Sequence, residues 1–379
     1  MVSSQKIKVL HYGSPPPTYG SPSFYKAIRR DSISKHIQPL MYYKIFDVEF
    51  FSWTKRLQYK MNVKTVYLID FFSLVVSLFK RAITKDIIVA LGYPALVELL
   101  ILLLVAKLRK VPIVVRETHW YWPQTRISRL LWYIYLPLLR HVDALLTPGL
   151  APFQYWKKLG FKNVYIVHYY ALEAIMQDCG YTRAELRKKL GIQDDEIVFL
   201  YLGRLIKKKG VDILLKAFAQ LVKETQHRVK LLIAGAGPER QTLENLATQL
   251  GVFNKVIFLG PVPETAKKCI YQVSDIFVYV PIVETIPEEW GIAPLEAMSV
   301  GLPTIVSTAV GSLPDLRGGV LPVRWGDAEQ LYRAMRRVVE DRNLRRYLAE
   351  SAIKTYRRLV AEIRVQYEFL KVIAEIKKP

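Results

Sequence analysis

The sequence predicts an α/β protein made of two doubly wound, Rossmann-like domains followed by a short helical C terminus. Three observations carry this. Short apolar segments alternate with helical patterns along the chain, several of those segments are continuous apolar runs, and a polar stretch over 178–195 divides them into two sets. Continuous runs fit parallel strands covered on both faces, and strand–helix alternation fits the doubly wound arrangement.

In the first set the pattern predicts strands at 7–12, 48–53, 86–91, 112–117, 144–147 and 164–167, with helices at 95–109 and 127–140 between the later ones. In the second set, strands are expected at 196–202, 230–234, 255–259, 276–280 and 303–307. Helices are expected at 211–224, 238–250, 264–273 and 293–300. Between the sets, 182–190 reads as a helix, with Thr182 and Glu185 at the spacing of a capping box. The domains are therefore placed at 1–180, 181–345 and 346–379, the last segment being charged and helical in pattern.

Composition limits the function classes. The chain has 379 residues, of which 51% are hydrophobic and 12% aromatic, enough for sizeable cores. Cys179 and Cys269 are its two cysteines and stand far apart, so a disulfide framework or zinc site is not expected and a reducing compartment is. No signal-peptide pattern opens the chain, and the longest apolar run, 95–106, is interrupted by Glu98 and falls short of the ~20 residues a spanning helix needs. The expected location is cytoplasmic, with peripheral contact at the inner face of an anionic membrane. The formal charge is +22, and residues 1–180 hold about 24 Lys and Arg against about 10 Asp and Glu. Basic clusters at Arg29-Arg30, Lys80-Arg81, Lys107/Arg109/Lys110 and Lys157-Lys158 are mixed with aromatic residues, which suits a membrane surface. No helix-turn-helix, zinc or aromatic-basic RNA motif accompanies the charge, so no nucleic-acid partner is expected.

Three segments carry chemistry. Gly203-Arg204 through Lys209-Gly210 follows a strand and opens a helix, so two cations and helix-end amides could hold a pyrophosphate. Gly235-Ala236-Gly237-Pro238 is a tight strand-to-helix turn that permits close approach to the backbone. Glu288-Glu289-Trp290-Gly291-Ile292-Ala293-Pro294-Leu295-Glu296 sets two carboxylates around a glycine turn, with seven residues between them; carboxylates accept hydrogen bonds from sugar hydroxyls. Each segment alone is also an ordinary loop.

Together, over about 197–315, they resemble the retaining glycosyltransferases with two Rossmann-like domains and an E-x7-E signature, the group 1 or family 4 type with the GT-B fold. Leu295-Glu296-Ala297-Met298, Gly301-Leu302-Pro303 and the Gly311 region continue the pattern. The resemblance implies a GT-B architecture, two domains facing a central cleft, with C-terminal helices returning to the first domain. It implies that Arg204 and Lys209 bind the donor diphosphate, Glu296 the nucleotide ribose and Glu288 the donor sugar. Gly203, Gly235, Gly237 and Pro261 would border the nucleoside, and backbone amides of Gly291, Ile292 and Ala293 would assist the phosphates. In the first domain, Gly13 and Gly20 occupy the place of a glycine-rich loop without an adjacent pair. His119, just after a strand, would face the sugar as an active-site hydrogen-bonding group, with His11 a second candidate.

The function so implied is transfer of a hexose from a nucleotide sugar to a glycan or lipid-linked acceptor, as in polysaccharide biosynthesis, with retention of configuration. The nucleotide sugar is a substrate, so no cofactor is expected. No Asp-x-Asp motif occurs, so no metal is expected either. Alternatives are an epimerase or phosphorylase of the same fold, or a non-catalytic nucleotide- or lipid-binding partner protein.

Overall fold

A computed structural model describes residues 7–12, 46–51, 87–91, 96–122, 125–168, 180–284 and 287–376. The chain divides into two compact units, 1–171 with 363–379, and 172–362. Gly13, Gly20, Cys179 and the basic clusters at 29–30 and 80–81 lie outside the described residues.

Unit 1 is built on a six-stranded sheet in the order β2-β1-β3-β4-β5-β6. The strands are β1 (Ile7–Tyr12), β2 (Phe46–Phe51), β3 (Ile87–Leu91), β4 (Ile113–Arg116), β5 (Ala144–Thr147) and β6 (Val164–Ile166). All pairs are parallel, so each connection must cross over the sheet. Helices α1 (Leu96–Arg109), α2 (Arg126–Leu139) and α3 (Leu150–Lys158) make three of these crossovers. Because β3 to β6 lie side by side in chain order, right-handed crossovers put all three helices on one face. Leu99, Leu102 and Val105 of α1 and Trp132, Tyr135 and Leu139 of α2 form the core with Trp156 of α3. Thr125 fixes the start of α2: its side chain accepts from the Ser128 amide while Ser128 caps in return.

Unit 2 begins with α4 (Arg183–Lys189), whose capping box is the Thr182–Glu185 pair read from the sequence. Then follow β7 (Ile197–Leu202), α5 (Val211–Glu224), β8 (Val229–Ala234), α6 (Arg240–Gln249), β9 (Val256–Gly260), α7 (Lys267–Val273), β10 (Ile276–Tyr279), α8 (Ala293–Ser299), β11 (Thr304–Ser307), β12 (Leu321–Val323), α9 (Ala328–Glu340) and α10 (Arg342–Ile376), whose residues from Ile363 on belong to unit 1. The sheet order is β12-β11-β10-β7-β8-β9, all parallel. Counted from β7 this is the 3-2-1-4-5-6 order, and chain direction across the sheet reverses between β7 and β10. Ligands of open α/β sheets bind beyond the carboxyl ends of the strands at that point. Apolar residues of β7, β8 and β10, such as Phe199, Leu231 and Val278, are fully buried under α5 and α9.

The segment expected as a single helix over 264–273 is a 3-10 turn at Glu264–Ala266 followed by α7. The second strand lies at Phe46–Phe51, two residues before its expected place. Its apolar residues alternate with Asp47 and Glu49 and continue beyond it at Ile45 and Trp53, so the pattern does not set the ends of the strand; pairing with β1 does.

Candidate functional site

The site in unit 2 is assembled where the sheet order reverses. The loop after β7 carries Gly203, Arg204 and Lys209; β10 ends on Tyr279; the chain beyond β10 carries Glu288 and then α8 with Glu296.

Main-chain contacts fix these loops. Gly203 donates to the Ala234 carbonyl at 2.9 Å, Gly235 donates to the Gly260 carbonyl at 2.7 Å, and Leu205 donates to Ala236 at 2.9 Å. The ends of β7, β8 and β9 are thereby locked side by side. Gly235 has φ +146, and a Cβ there would stand 1.8 Å from the Gly203 carbonyl oxygen, so both conformation and space demand glycine. Across the reversal, the Ile282 amide donates to Lys208 at 2.8 Å, and a Cβ on Gly210 (φ +66) would meet the Val280 carbonyl at 2.2 Å.

Lys209 ends a short 3-10 turn, Lys207–Lys209, just before α5. Its ammonium is buried, lies 2.8 Å from Glu288 Oε2 and donates to the Tyr279 hydroxyl at 2.9 Å. Lys208 stands 3.8 Å from the same carboxylate and donates to the Pro287 carbonyl at 3.1 Å. Burial draws the Lys209 ammonium below the ordinary lysine range, against the opposing pull of Glu288. For Glu288, burial pushes the carboxyl up, but Lys209, Lys208 and the Tyr279 hydroxyl together outweigh it and hold it below the ordinary value. Burial and the neighbouring Glu288 charge push the Tyr279 hydroxyl well above its ordinary range, so it stays protonated and serves as a fixed donor to that carboxylate. Arg204 is exposed, and its guanidinium has no ion-pair partner among the described residues. Its carbonyl accepts from the buried Tyr201 hydroxyl at 2.8 Å, which holds the loop.

Glu288 is held by its backbone as well. Its amide donates to Ala309 and its carbonyl accepts from Gly311, both at 2.8 Å, forming an isolated parallel bridge with Val310. Gly291 has φ +74 beside the buried Trp290, whose carbonyl accepts from the Ser312 hydroxyl. Ile292 and Ala293 then open α8, and Glu296 is buried in its first turn. The Glu296 carboxylate accepts from the Tyr271 hydroxyl at 2.7 Å and pairs with Lys267 at 3.0 Å. Pro261 is exposed after β9.

Unit 1 holds the two histidine candidates, of which His11 lies in β1. His119 follows β4, and its Nδ1 is 3.0 Å from Glu117 Oε2; Glu117 is buried and also accepts from the Tyr135 hydroxyl at 2.9 Å. A carboxylate at Nδ1 favours the tautomer protonated there and fixes the ring. The ring packs 5.2 Å from Trp132.

Of the sequence-predicted residues, the structure brings Lys209 and Glu288 into contact and sets Gly203, Gly235 and Gly237 against one another's loops. Glu296 pairs separately, with Lys267 and Tyr271. The sequence reading missed Tyr279, Tyr271, Lys267, Lys208, Glu117 and Tyr135. Tyr279 closes the strand flanking the reversal, a place that shows only once the strand order is known. Among the described residues, no group of three or more His, Cys, Asp or Glu side chains is placed to hold a metal ion.

These features define a two-domain α/β fold with a charged site at the reversal of the second sheet, the architecture of GT-B glycosyltransferases. Solved structures agree on the fold. HepE of Anabaena, in complex with UDP, superposes with a TM-score of 0.76 at 18% identity, covering 97% of this chain and 100% of that one. Sucrose-phosphate synthase of Thermosynechococcus elongatus gives 0.68 at 16% identity, covering 99% and 100%. Residues 182–355 match the family model for glycosyl transferases group 1. An uncharacterized glycosyltransferase of Methanocaldococcus jannaschii is 34% identical over 175 residues, 45% of this chain and 43% of that protein. An alpha-monoglucosyldiacylglycerol synthase of Streptococcus pneumoniae is 37% identical over 121 residues, 32% of this chain and 26% of that protein. The matched segments thus span less than half the length of these curated relatives.

Proposed function

We propose that the protein transfers a hexose from a nucleotide sugar to a glycan or lipid-linked acceptor with retention of configuration, without a metal ion or a cofactor, at the inner face of a membrane. The observation that carries this is the Lys209–Glu288 contact at the sheet reversal, beside Arg204, which has no ion-pair partner among the described residues. A departing nucleoside diphosphate needs cations held in place before the bond breaks, and a partly desolvated ammonium is worth more there than one in water. In this reading Lys209 and Arg204 receive the diphosphate, aided by amides at Gly291, Ile292 and Ala293. Glu288 accepts from donor-sugar hydroxyls, and Glu296, braced by Tyr271 and Lys267, accepts from the ribose. His119 is the remaining candidate for a hydrogen bond to the sugar. The sugar–phosphate bond breaks, the acceptor oxygen bonds the anomeric carbon on the same face, and the acceptor's proton leaves on the phosphate oxygen. Gly203, Gly235, Gly237 and Pro261 border the base.

The test is a thermal-shift screen of UDP, GDP and ADP with their sugar nucleotides, followed by transfer assays with the one that binds. HepE is a fold relative solved with UDP, which puts uridine first. Stabilisation by one nucleotide, lost in Lys209→Ala and Glu296→Ala, is the expected result. Stabilisation that survives both substitutions overturns the assignment. Sugar nucleotide consumed only in the presence of phosphate, or converted to an isomer without acceptor, would instead indicate phosphorylase or epimerase chemistry.

A further inference from the structure

The outward sides of α1 and α2 are unusual for a water-facing surface. On α1, Leu100, Leu104 and Leu108 are 45%, 54% and 63% exposed and fall at four-residue spacing, one stripe along the helix. On α2, Ile127, Leu130, Leu131 and Ile134 are exposed by 74%, 62%, 52% and 46%. The two helices are in contact and share one face of the sheet, and each buries its opposite side in the core. Two adjacent apolar stripes therefore form one patch rather than scattered side chains, and such patches mark interaction sites.

Charge indicates what covers it. Between residues 99 and 142 the only acidic residue is Glu117, which is buried. Exposed cations surround the stripes: Lys107, Arg109 and Lys110 at the end of α1, and Arg126 and Arg129 on α2. Trp122 and Tyr133, aromatic residues of the kind that settle at headgroup level, are exposed and in edge contact at 6.0 Å. A second copy of the same face would set like charges against each other. No helix among the described residues is long and apolar enough to cross a membrane. From the geometry we infer that the α1–α2 face is a monotopic docking surface for an anionic lipid bilayer, with the aliphatic stripes entering the headgroup–acyl boundary and the cations meeting lipid phosphates.

This deepens the membrane reading above by naming the surface, and its test does not depend on catalysis. The full chain is sedimented with phosphatidylcholine vesicles and with equimolar phosphatidylcholine–phosphatidylglycerol vesicles. Binding is expected to the anionic vesicles only. It should weaken roughly fivefold for each cation removed in Arg126→Gln and Arg129→Gln and be lost in the Leu104→Asp, Ile127→Asp double variant. Nucleotide-induced thermal shifts should stay unchanged in all of them, because these side chains are exposed and lie in the other unit. Equal binding to both vesicle types, no binding at all, or binding undiminished in the variants overturns the inference. So does a vesicle-free dimer of the wild-type chain that the double variant abolishes, since a second copy would then own the face. Failure here leaves nucleotide binding standing, and failure of nucleotide binding leaves this result intact.

Discussion

Replacing Lys209 by methionine separates what the residue does for the fold from what it does for the reaction. The substitution keeps the length of the stem and removes the charge, leaving the Glu288 carboxylate, 18% exposed, without its 2.8 Å partner. Stranding one member of a buried pair costs about 3–5 kcal/mol. The lower end applies here, because Lys208 remains 3.8 Å away and the Tyr279 hydroxyl still bonds the carboxylate. For a unit of this size, ~3 kcal/mol lowers Tm by roughly 6–12 °C. Adding Glu288→Gln removes the stranded charge, so the double variant should regain about 2 kcal/mol. Transfer should not return, since the cation proposed to receive the diphosphate is not restored. Differential scanning calorimetry reads the first quantity and single-turnover transfer the second. A double variant as unstable as Lys209→Met would refute the pair as the source of the loss. One that recovered transfer together with stability would show Lys209 to be structural only.

The Glu288 carboxyl lies below its ordinary 4.5 when folded, so its contribution to stability is full above that value and disappears as pH falls through the folded value. Glu288→Gln should flatten the acid limb of a Tm–pH profile, and an unchanged limb argues against the assignment. Glu296→Gln exchanges a charged acceptor for a neutral one, and loss of a charged hydrogen bond of about 1.5–3 kcal/mol weakens nucleotide binding roughly 10–100-fold by calorimetric titration; unaltered affinity would remove Glu296 from the ribose. Gly235→Ala drives a Cβ into the Gly203 carbonyl and should cost at least about 3 kcal/mol, from strained backbone and broken loop hydrogen bonds, a loss that urea unfolding reports. His119→Ala should lower kcat about tenfold or more if it makes one charge-assisted bond in the transition state, whereas a change confined to Tm would make it a packing residue.

The second sheet was legible in the sequence because its strands are apolar runs, several followed by glycine turns, and because backbone demands at Gly210, Gly235 and Gly291 are written as residue identity. Lys209 and Glu288 were each identified, but their contact was not, since 79 residues separate them and only the strand order closes the gap. Tyr279 was hidden for a different reason: within Ile276–Tyr279 it satisfies the same apolar pattern as its neighbours, and its hydroxyl matters only once Lys209 lies beside it. Lys267 is one of two adjacent lysines in the helical segment 264–273 and belongs to no motif. Its pairing with the buried Glu296 arises from the fold of α7 against α8, which no spacing in the chain records.

The glycine-to-carbonyl stitching of the loops after β7 and β8 divides labour within the site. Position is carried by main chain, through Gly203, Leu205, Gly235 and Gly237, while the side chains of Arg204, Lys207, Ala236 and Pro238 stand in solvent and hold none of it together. A library that varies Lys207, Ala236 and Pro238, and spares the glycines and Arg204, changes the chemistry offered to a ligand without touching the frame that offers it. Under the proposed function, preference for a different nucleotide is thus open to variation at little cost in stability.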